Sequence, residues 1–458
     1  MKKIITTVIA IFALSSLFSL SLEECKQLAL QNNRNYKSSL ELKSAAESGT
    51  KAAFTDFLPK VTATGSYTKM NEKFSMTTPD LALPIADAQG NVIIMTDENG
   101  NPILDANGNV IVENWAVLPS QELKIGKEDI YLASVNLTQP IFTGGKLLEK
   151  YKISKYSREI AESTSKLSRQ ELLLKTEEYF WRVISLEAKA DLADKYKAAV
   201  EQHVNDLKNY LNEGVITPNT LLQGEIKLNE AELMQLKVKN GLQLSKYALN
   251  QLLGRDLEAE LKLEGNLDEL HSIPTNKEIR PEITALENAV KISKSAKRVA
   301  LGNYLPNIAL NASYFWANPN PYNGFEEEFG KDWTVGIMAE MQLFSWNKRG
   351  FRLAQLEHQK RAAQYSLEET KELISLEIIQ AKQHFNEAKD KLLITAKAVK
   401  QTEKNLETNK DKFAEGLAKS SDVLDAQTLW QKAVSENISA KTEYQIEYTK
   451  LQKAMGNL

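Results

Sequence analysis

Two long stretches of this chain contain neither glycine nor proline, and they limit the folds that it can adopt. The first covers residues 146–213 and the second covers residues 351–415. A continuous helix over either stretch would be about 100 Å long, at roughly 1.5 Å per residue. A helix of this length cannot fold around one globular core, so it must be stabilised by packing on its neighbours along its whole length.

Each stretch carries apolar residues at alternating spacings of three and four, which is typical of a coiled-coil seam. The seam of the first stretch is Leu186, Ala190, Ala193, Val200, Val204, Leu207 and Leu211, interrupted by Lys197. The seam of the second stretch is Ala381, Phe385, Ala388, Leu392, Val399, Leu406 and Phe413, with Thr395, Thr402 and Asn409 at the remaining positions. The pattern predicts long helices over 146–213 and 347–415.

The two stretches belong to two copies of one unit. "QPIF" at 139–142 aligns with "MQLF" at 341–344, an offset of 202 residues. "FLPKVTATGSY" aligns with "YLPNIALNASY" at an offset of 247 instead, because the first copy carries about 45 extra residues. The predicted units are a first repeat over 22–254, an equatorial connection over 255–279 and a second repeat over 280–458.

In both copies the long helix is followed by a short turn that contains glycine and then by another helix. The predicted turns are 214–218 and 416–421. The predicted following helices are 219–253 and 422–455.

Each copy also contains two short segments in which apolar and polar residues alternate. The predicted strands are about 60–70, 130–142, 307–317 and 333–344. Each would have one apolar face and one polar face, as in a soluble half-buried sheet or in a membrane barrel. The aromatic residues Tyr67, Tyr131, Tyr314, Trp316 and Trp333 gather at the loop ends, where an interfacial girdle would lie. Four strands are too few to close a barrel, so a membrane barrel would require several chains.

The repeated Leu-Pro pair marks the change from helix to strand. Leu58-Pro59 and Leu305-Pro306 each follow a helical pattern and precede a strand pattern. Proline lacks the amide donor and disfavours helix in the residue before it, so it ends the helix at this point. Pro140 lies in the matching "QPIF" segment, where the second strand leads into the long helix.

The extra residues of the first copy lie in an insertion over 71–129, which is expected to be outside the cell. Within it the unit Asp-x-x-Gly-Asn recurs at Asp87, Asp97 and Asp105, which predicts consecutive tight hairpins. A calcium loop is the alternative, since Asp97, Asn99 and Asn101 could offer oxygens. The spacing lacks the closing Glu of an EF-hand loop, so the hairpins are favoured and no metal is expected.

The N-terminal residues 1–21 have the pattern of a secretory signal peptide: Lys2 and Lys3, an apolar stretch, and small residues that suggest cleavage after Ser19 or Ser21. A membrane anchor is the alternative, although the stretch is short for a span of about 20 residues. Cys25 is the only cysteine, so an intrachain disulfide is excluded. Charged residues make up 26% of the chain with a net charge of −3, and the interleaved charges argue against nucleic-acid binding.

The sequence contains no recognisable catalytic or cofactor motif. Its four histidines are scattered, and there is no HExxH pair, phosphate-binding loop or nucleophile elbow. The chain is therefore predicted not to be an enzyme and to need no cofactor.

The chain resembles the TolC family of outer-membrane efflux proteins over almost all of its mature length. The resemblance is carried by "LSLEECKQLALQNN" (20–33), "RPEITALENAVKISKSAKRVALGNYLPNI" (280–308), "QPIFTGGK" and "FAEGLAKSSDVLDAQTLWQKA" (413–433). It implies an α+β membrane protein that forms a homotrimer, in which four strands per chain build a twelve-stranded barrel in outer-membrane lipid. The barrel would continue into a periplasmic α-helical barrel that meets an adaptor protein bound to an inner-membrane pump.

The resemblance also assigns roles to individual residues. Asp422 and Asp425 match two aspartates that ring the periplasmic entrance, beside Lys419, although Asp422 could also act only as a helix cap. The turns that would dock the adaptor are Gly214 with Val215, and Gly416 with Leu417. Two positions depart from the family: Thr220 replaces an acidic residue, and Ala418 replaces a gating arginine.

Two other functions remain open from the sequence. The same channel could serve a one-step (type I) protein secretion system, because a tunnel of this kind does not identify its substrate. A periplasmic or surface coiled-coil protein with a soluble sheet would also fit the heptads, although the alternation and the aromatic residues argue against it.

Overall fold

The computed structural model describes residues 19–125, 127–274, 278–320 and 328–458. Most of the predicted signal peptide, residues 1–18, lies outside this part of the chain. The described helices are α1 (Leu22–Asn32), α2 (Arg34–Thr55), α3 (Lys146–Asn212), α4 (Pro218–Leu253), α5 (Pro281–Leu301), α6 (Lys348–Ala414) and α7 (Ser420–Ala454). The described strands are β1 (Leu20–Ser21), β2 (Lys60–Lys69), β3 (Phe74–Thr77), β4 (Leu81–Pro84), β5 (Trp115–Leu118), β6 (Glu122–Ile125), β7 (Asp129–Phe142), β8 (Leu263–Glu264), β9 (Asn307–Asn318) and β10 (Gly330–Glu340).

The chain divides into a helical unit and a strand unit. The helical unit comprises Met1–Ala53, Leu148–Ala300 and Asn347–Leu458, and the strand unit comprises Phe54–Leu147 and Leu301–Trp346. Helices α3 and α6 each contain 67 residues, so the two copies have long helices of equal length. Among the described helices, none has both the length and the apolarity that crossing a bilayer would require.

The heptad seams of the two long helices are buried to different depths. In α3 the seam residues from Ala190 to Leu207 are all buried, with Val200 and Leu207 at 0% exposure. In α6 the buried seam residues are Ala381, Phe385 and Ala388, which pack with Tyr444 and Leu451 of α7. The lysine that interrupts the first seam, Lys197, pairs with Glu232 of α4 at 3.2 Å.

A second apolar cluster surrounds the start of the helical unit. Cys25 and Ala29 of α1 are fully buried against Phe180 and Trp181 of α3 and Leu249 of α4. Burial raises the pKa of the Cys25 thiol to about 12, so this cysteine is an inert core residue.

The connection 255–279 packs on α7, and its residues 275–277 lie outside the described part. The ring of His271 stacks on Tyr448 with 4.1 Å between centroids, and its Nε2 lies 2.7 Å from Gln445 Oε1. Earlier in the connection, β8 pairs in parallel with β1. These contacts fix the connection to the helices.

Four strands form an antiparallel sheet in the strand unit, in the order β10-β9-β7-β2. Its register brings the polar residues of neighbouring strands onto one face, where Thr138 donates a hydrogen bond to Asn311 at 3.0 Å and Ser313 donates to Asn136 at 2.7 Å. The apolar residues share the other face, and they are largely exposed.

The aromatic residues of the strand unit meet in pairs. The rings of Tyr67 and Tyr131 are 5.1 Å apart, and those of Tyr314 and Trp316 are 4.6 Å apart. Trp333 lies directly across from Tyr314 in the sheet register. The aromatic positions of β2, β7, β9 and β10 therefore lie near the loop ends of the sheet.

The last strand is shorter and earlier than its sequence pattern predicts. The pattern predicts a strand at about 333–344, whereas β10 is Gly330–Glu340, and residues 341–344 lie beyond its end. Glu340 pairs with Asn307, the first residue of β9. The preceding residue of that neighbour is Pro306, which has no amide to donate, so the ladder stops there.

The Leu-Pro pairs lie at equivalent places in the two copies. Pro59 directly precedes β2 and Pro306 directly precedes β9, while Leu58 and Leu305 end the preceding helical turns with N–H bonds to Thr55 and Gly302. Pro140 lies inside β7, just beyond the last residue of this strand that pairs with β2. A register shift between Pro140 and Phe142 accommodates it on the β9 side, as expected for proline within a sheet.

The insertion 71–129 extends from the β2–β7 pair as a series of hairpins. β3 pairs with β6 and β4 with β5, and the three Asp-x-x-Gly-Asn units lie between them. In each unit the aspartate accepts two backbone N–H bonds; Asp97, for example, accepts from Asn99 and Asn101 at 2.9 Å. Both bonds are accepted by Oδ1 of Asp97, and they lower the pKa of its carboxyl.

Candidate functional site at the helical turns

The turn after α3 ends the helix with two paired hydrogen bonds. Gly214 has φ 74° and its N–H donates to Leu211 O at 3.0 Å, while the N–H of Val215 donates to Tyr210 O at 2.9 Å. This pair of bonds is the Schellman motif, which needs a left-handed residue that glycine adopts without strain.

The turn after α6 has the same hydrogen bonds. Gly416 has φ 75° and donates to Phe413 O at 3.0 Å, while Leu417 donates to Lys412 O at 2.7 Å. The duplication therefore preserves the backbone geometry of both turns.

Both turns present an apolar side chain to solvent. Val215 is 67% exposed and Leu417 is 73% exposed. The residue at this place in a Schellman motif often packs back on its own helix. Here both remain available for contact with another molecule.

The helix that follows the second turn begins with a charged residue pair. The Asp422 carboxylate accepts a hydrogen bond from the backbone N–H of Lys419 at 3.0 Å. Lys419 is the capping position of α7, and Asp422 is therefore its third helical residue instead of its cap. This corrects the boundary predicted at 422, and the carboxylate also lies favourably at the positive end of the helix dipole.

Asp422 and Asp425 share the exposed side of α7. They are one turn apart, whereas Val423, Leu424 and Ala426 are buried. The helix therefore packs through one side and presents both carboxylates on the other. An arrangement of this kind creates a local negative potential.

The helix that follows the first turn begins with neutral residues. Thr217 is its capping position and Pro218 its first residue, where the fixed φ of proline suits a helix start. Thr220 occupies the position equivalent to Asp422, and its hydroxyl lies 3.1 Å from that of Thr217. Ala418 is partly buried in the second turn.

A buried histidine connects the two copies beside these turns. His203 of α3 is 6% exposed, and its Nε2 lies 2.9 Å from Ser420 Oγ at the start of α7. Its ring is 5.2 Å from that of Phe413. Burial lowers the pKa of His203, with Asp206 opposing and Lys410 assisting that shift. The sequence does not predict this role of His203, and the only indication of it is the position next to seam residue Val204.

The first copy is also closely packed behind its turn. A Cβ atom on Gly224 would lie 2.9 Å from Leu207 Cδ1 and 3.2 Å from Val204 Cγ2. Tyr196, Val200 and Val204 of α3 form one apolar cluster with Ala231 of α4 and Leu424 of α7. The cluster joins both copies, so the two turns are held in one packed region of the helical unit.

The sites predicted from sequence thus fall in two places. Lys419, Asp422 and Asp425, together with both glycine turns, belong to the helical unit. The Leu-Pro pairs and Pro140 belong to the strand unit. Over the described ranges, no group of three or more His, Cys, Asp or Glu side chains is arranged to hold a metal ion.

Comparison with known proteins gives consistent matches along the chain. The family model described as "Outer membrane efflux protein" matches residues 26–255 and 274–457. The alkaline protease secretion protein AprF of Pseudomonas aeruginosa is 20% identical over 348 residues, which cover 72% of this chain and 70% of AprF.

Two solved outer-membrane proteins have a similar fold. The CmeC outer membrane channel of Campylobacter jejuni superposes with a TM-score of 0.74 at 17% identity, over 95% of this chain and 85% of CmeC. The outer membrane protein VceC of Vibrio cholerae superposes with a TM-score of 0.72 at 16% identity, over 95% of this chain and 96% of VceC.

Proposed function

The chain belongs to the outer membrane efflux protein family, and we propose that it is the outer-membrane channel of a tripartite efflux system. In this role it conducts substrates passively from a periplasmic pump–adaptor complex to the outside. The energy comes from the inner-membrane pump, and the chain itself acts as a conduit instead of an enzyme.

The observation that carries this proposal is the four-stranded sheet. Its apolar face is exposed, with Val61 at 63%, Val335 at 58% and Ile337 at 69%. An apolar surface of this kind requires a partner or a lipid environment. Within the described residues, β2 and β10 each pair with only one strand. Edges cannot remain open in lipid, so three copies closing a twelve-stranded barrel would satisfy both requirements.

The turn region supports the periplasmic half of the proposal. Three copies of Asp422 and Asp425 would form an acidic collar that favours cations at the entrance, with Lys419 beside it. Val215 and Leu417 would offer apolar contacts to the adaptor, next to Gly214 and Gly416.

Two measurements test the channel. The mature chain, extracted in detergent and sized by light scattering with correction for bound detergent, is expected to have the mass of three chains. A strain without this protein is expected to become more sensitive to toxic dyes and detergents. A monomeric mass would overturn the shared barrel, and unchanged sensitivity to all compounds would overturn efflux.

Protein secretion is the second candidate function, and the similarity to AprF favours it. In that case the same channel serves a one-step secretion system. Loss of one secreted protein from the medium after deletion, with unchanged sensitivity to dyes and detergents, would select this candidate over efflux.

The acidic collar is tested by the double variant Asp422→Ala, Asp425→Ala. In planar bilayers it is expected to show weaker cation selectivity than the parent, while the trimer mass stays the same. Glu436→Ala, in the same helix but away from the turn, is the matched control. Unchanged selectivity in the double variant would remove the collar from the proposal.

The start of the mature chain is the last part of this proposal. Leu20 and Ser21 pair with Leu263 and Glu264, and the Ser21 hydroxyl accepts a hydrogen bond from the Glu24 N–H at 3.3 Å. Cleavage after Ser19 keeps these contacts, whereas cleavage after Ser21 removes them. Mass spectrometry of the exported protein is therefore expected to find Leu20 at its N-terminus, and Leu22 would contradict this.

A further inference from the structure

The two edge strands of the sheet have matching lengths and opposite directions. β2 contains 10 residues and β10 contains 11. All neighbours in the order β10-β9-β7-β2 are antiparallel. In a trimer, β10 of one chain would therefore meet β2 of the next chain in antiparallel orientation; in this subsection a copy means one chain of the trimer. The seam between these two edges depends on the trimer proposed above, in which neighbouring chains close one barrel.

Strand overlap and face matching leave a single register for the seam. Only two registers place all ten residues of β2 opposite residues of β10. Paired residues share a face, and the polar face carries Thr62 and Thr64 on β2 but Thr334 on β10. Only the register with Lys60 opposite Glu340 joins the face of β2 that carries Thr62 and Thr64 to the face of β10 that carries Thr334, because a shift by one residue exchanges the faces.

The register chosen in this way pairs opposite charges. Lys60 and Glu340 are both exposed, on the same face, and neither forms an ion pair with any described residue of its own chain. Strand overlap and the matching of faces determine this register without any contribution from the two charges. Cross-strand pairs of opposite charge stabilise a sheet, so the seam gains a contact at one end.

The same register pairs two aromatic residues near the other end. Tyr67 of one copy lies opposite Trp333 of the next, and these side chains are 58% and 66% exposed in the single chain. Cross-strand aromatic pairs are among the more stabilising contacts of antiparallel sheets.

The seam has one unfavourable pair, at its outer end. Lys69 lies opposite Lys331, but Asp129 lies directly across from Lys69 within its own chain. A carboxylate therefore accompanies the two amines, and long lysine side chains at a strand end can diverge.

The register also gives a barrel of ordinary geometry. Within one chain the paired residues Lys60, Thr138, Asn311 and Gly336 form one row across the four strands, and Gly336 then pairs with Thr64 of the next copy. The row returns to β2 four residues beyond Lys60, so the strands are staggered by four residues for every four strands. At about 3.3 Å per residue and about 4.8 Å between strands, this corresponds to a strand tilt of about 35°, within the range of closed barrels.

We propose that β2 of each copy pairs with β10 of the next in this register, with Lys60 forming an ion pair with Glu340 of the neighbouring copy. The partner of the open sheet edge is thus a second copy of this chain. The Lys60–Glu340 pair near one end of the strands and the Tyr67–Trp333 pair near the other end define how the copies join.

The test uses paired cysteines in the full exported chain. Lys60→Cys with Glu340→Cys is expected to give covalent trimers on a non-reducing gel, because directly opposed residues lie within disulfide range. Lys60→Cys with Met338→Cys is the matched control on the same face. Its diagonal separation of about 7–8 Å is expected to reduce cross-linking several-fold. The native Cys25 is 0% exposed and does not compete.

Each outcome identifies which statement fails. Cross-linking that is stronger at Lys60 with Met338 than at Lys60 with Glu340, in a particle of three chains, overturns the register but leaves the trimer. A particle of one chain by light scattering overturns the trimer itself. As an independent measure, Lys60→Glu is expected to lower the temperature at which the trimer dissociates, and adding Glu340→Lys is expected to restore it. A double variant no better than the single one overturns the ion pair.

Discussion

The turns after α3 and α6 have the same backbone but different side chains at the start of the next helix. Both end with a left-handed glycine and the same two hydrogen bonds, from Gly214 and Gly416 and from the residues after them. The following helix then begins with Thr217 and Pro218 in the first copy, and with Lys419 and a carboxylate at Asp422 in the second. Duplication has kept the geometry of the turn and has changed its charge.

This difference decides how many acidic groups a trimer would place at its entrance. The equivalent of Asp422 in the first copy is the neutral Thr220. The proposed collar therefore contains carboxylates from three turns instead of six. The first-copy turns would contribute shape and packing, and the second-copy turns would contribute charge.

The largest expected effect comes from the packing behind the first turn. Gly224→Val is expected to destabilise the protein by about 1–3 kcal/mol, because new atoms must fit against the buried side chains of Leu207 and Val204. The loss of stability is measured in detergent by adding increasing denaturant and monitoring the helix content by circular dichroism.

Gly241→Val is the matched control for this prediction. Gly241 lies in the same helix, α4, and a Cβ atom there would have no neighbour within 4 Å. Glycine has a lower helix propensity than valine, so this change is expected to cause no loss of stability. Equal losses in the two variants would show that the contacts at Gly224 do not limit the stability of the first copy.

Much of the fold could be predicted from the sequence because its periodic signals are long. The two helices of 67 residues follow from stretches without glycine or proline, and the sheet follows from alternation in both copies. The end of β10 could not be predicted in this way. The alternation continues to Met341, but the ladder stops opposite Pro306, in a strand that is distant in sequence.

The candidate site is harder to predict from the sequence than the fold, because it depends on contacts between the two repeats of the chain. The hydrogen bond between His203 and Ser420 joins residues 217 positions apart, and a single sequence carries no sign of it. Backbone conformation can also be hidden by substitution. Gly144 and Gly145 align with Trp346 and Asn347, yet all four have positive φ. The glycine pair indicates the turn in the first copy, whereas in the second copy only Asn347 does, since asparagine is enriched at positive φ.

The second prediction compares the two turns directly. Gly214→Ala and Gly416→Ala are each expected to cost about 1–2 kcal/mol, because alanine is strained at positive φ. The costs should be similar, since φ is 74° and 75° and neither position has a neighbour within 4 Å of a new Cβ. The unfolding midpoint of each variant measures this cost. A much larger cost at one turn would mean that the two backbones are not equivalent in solution.

The third prediction concerns the buried histidine between the copies. Burial lowers the pKa of His203, so the folded state binds a proton less readily than the unfolded state, whose histidine pKa is about 6.5. Stability is therefore retained above about pH 6.5 and falls as the pH decreases below it. The loss for one proton is at most about 1.4 kcal/mol per pH unit.

His203→Gln is expected to reduce this pH dependence, because glutamine can keep a hydrogen bond to Ser420 without titrating. The melting temperature, measured between pH 7.5 and pH 5, is expected to fall less in this variant than in the parent. His384→Gln, at an exposed histidine of α6, is the control and should behave as the parent does. A parental slope in His203→Gln would assign the pH dependence to other groups.

The smallest expected effect exchanges the residues that distinguish the two turns. Thr220→Asp places a carboxylate where it can accept the Thr217 N–H, as Asp422 does for Lys419, and is expected to add about 0.5–1 kcal/mol of stability. Asp422→Thr is expected to lose a similar amount. Asn219→Asp is the control, because it adds the same charge one residue earlier without this capping geometry. In planar bilayers Thr220→Asp is expected to raise cation selectivity and Asp422→Thr to lower it. If Thr220→Asp gained stability without any change in selectivity, the first-copy turn would lie outside the conducting path, and the two turns would differ in position as well as in charge.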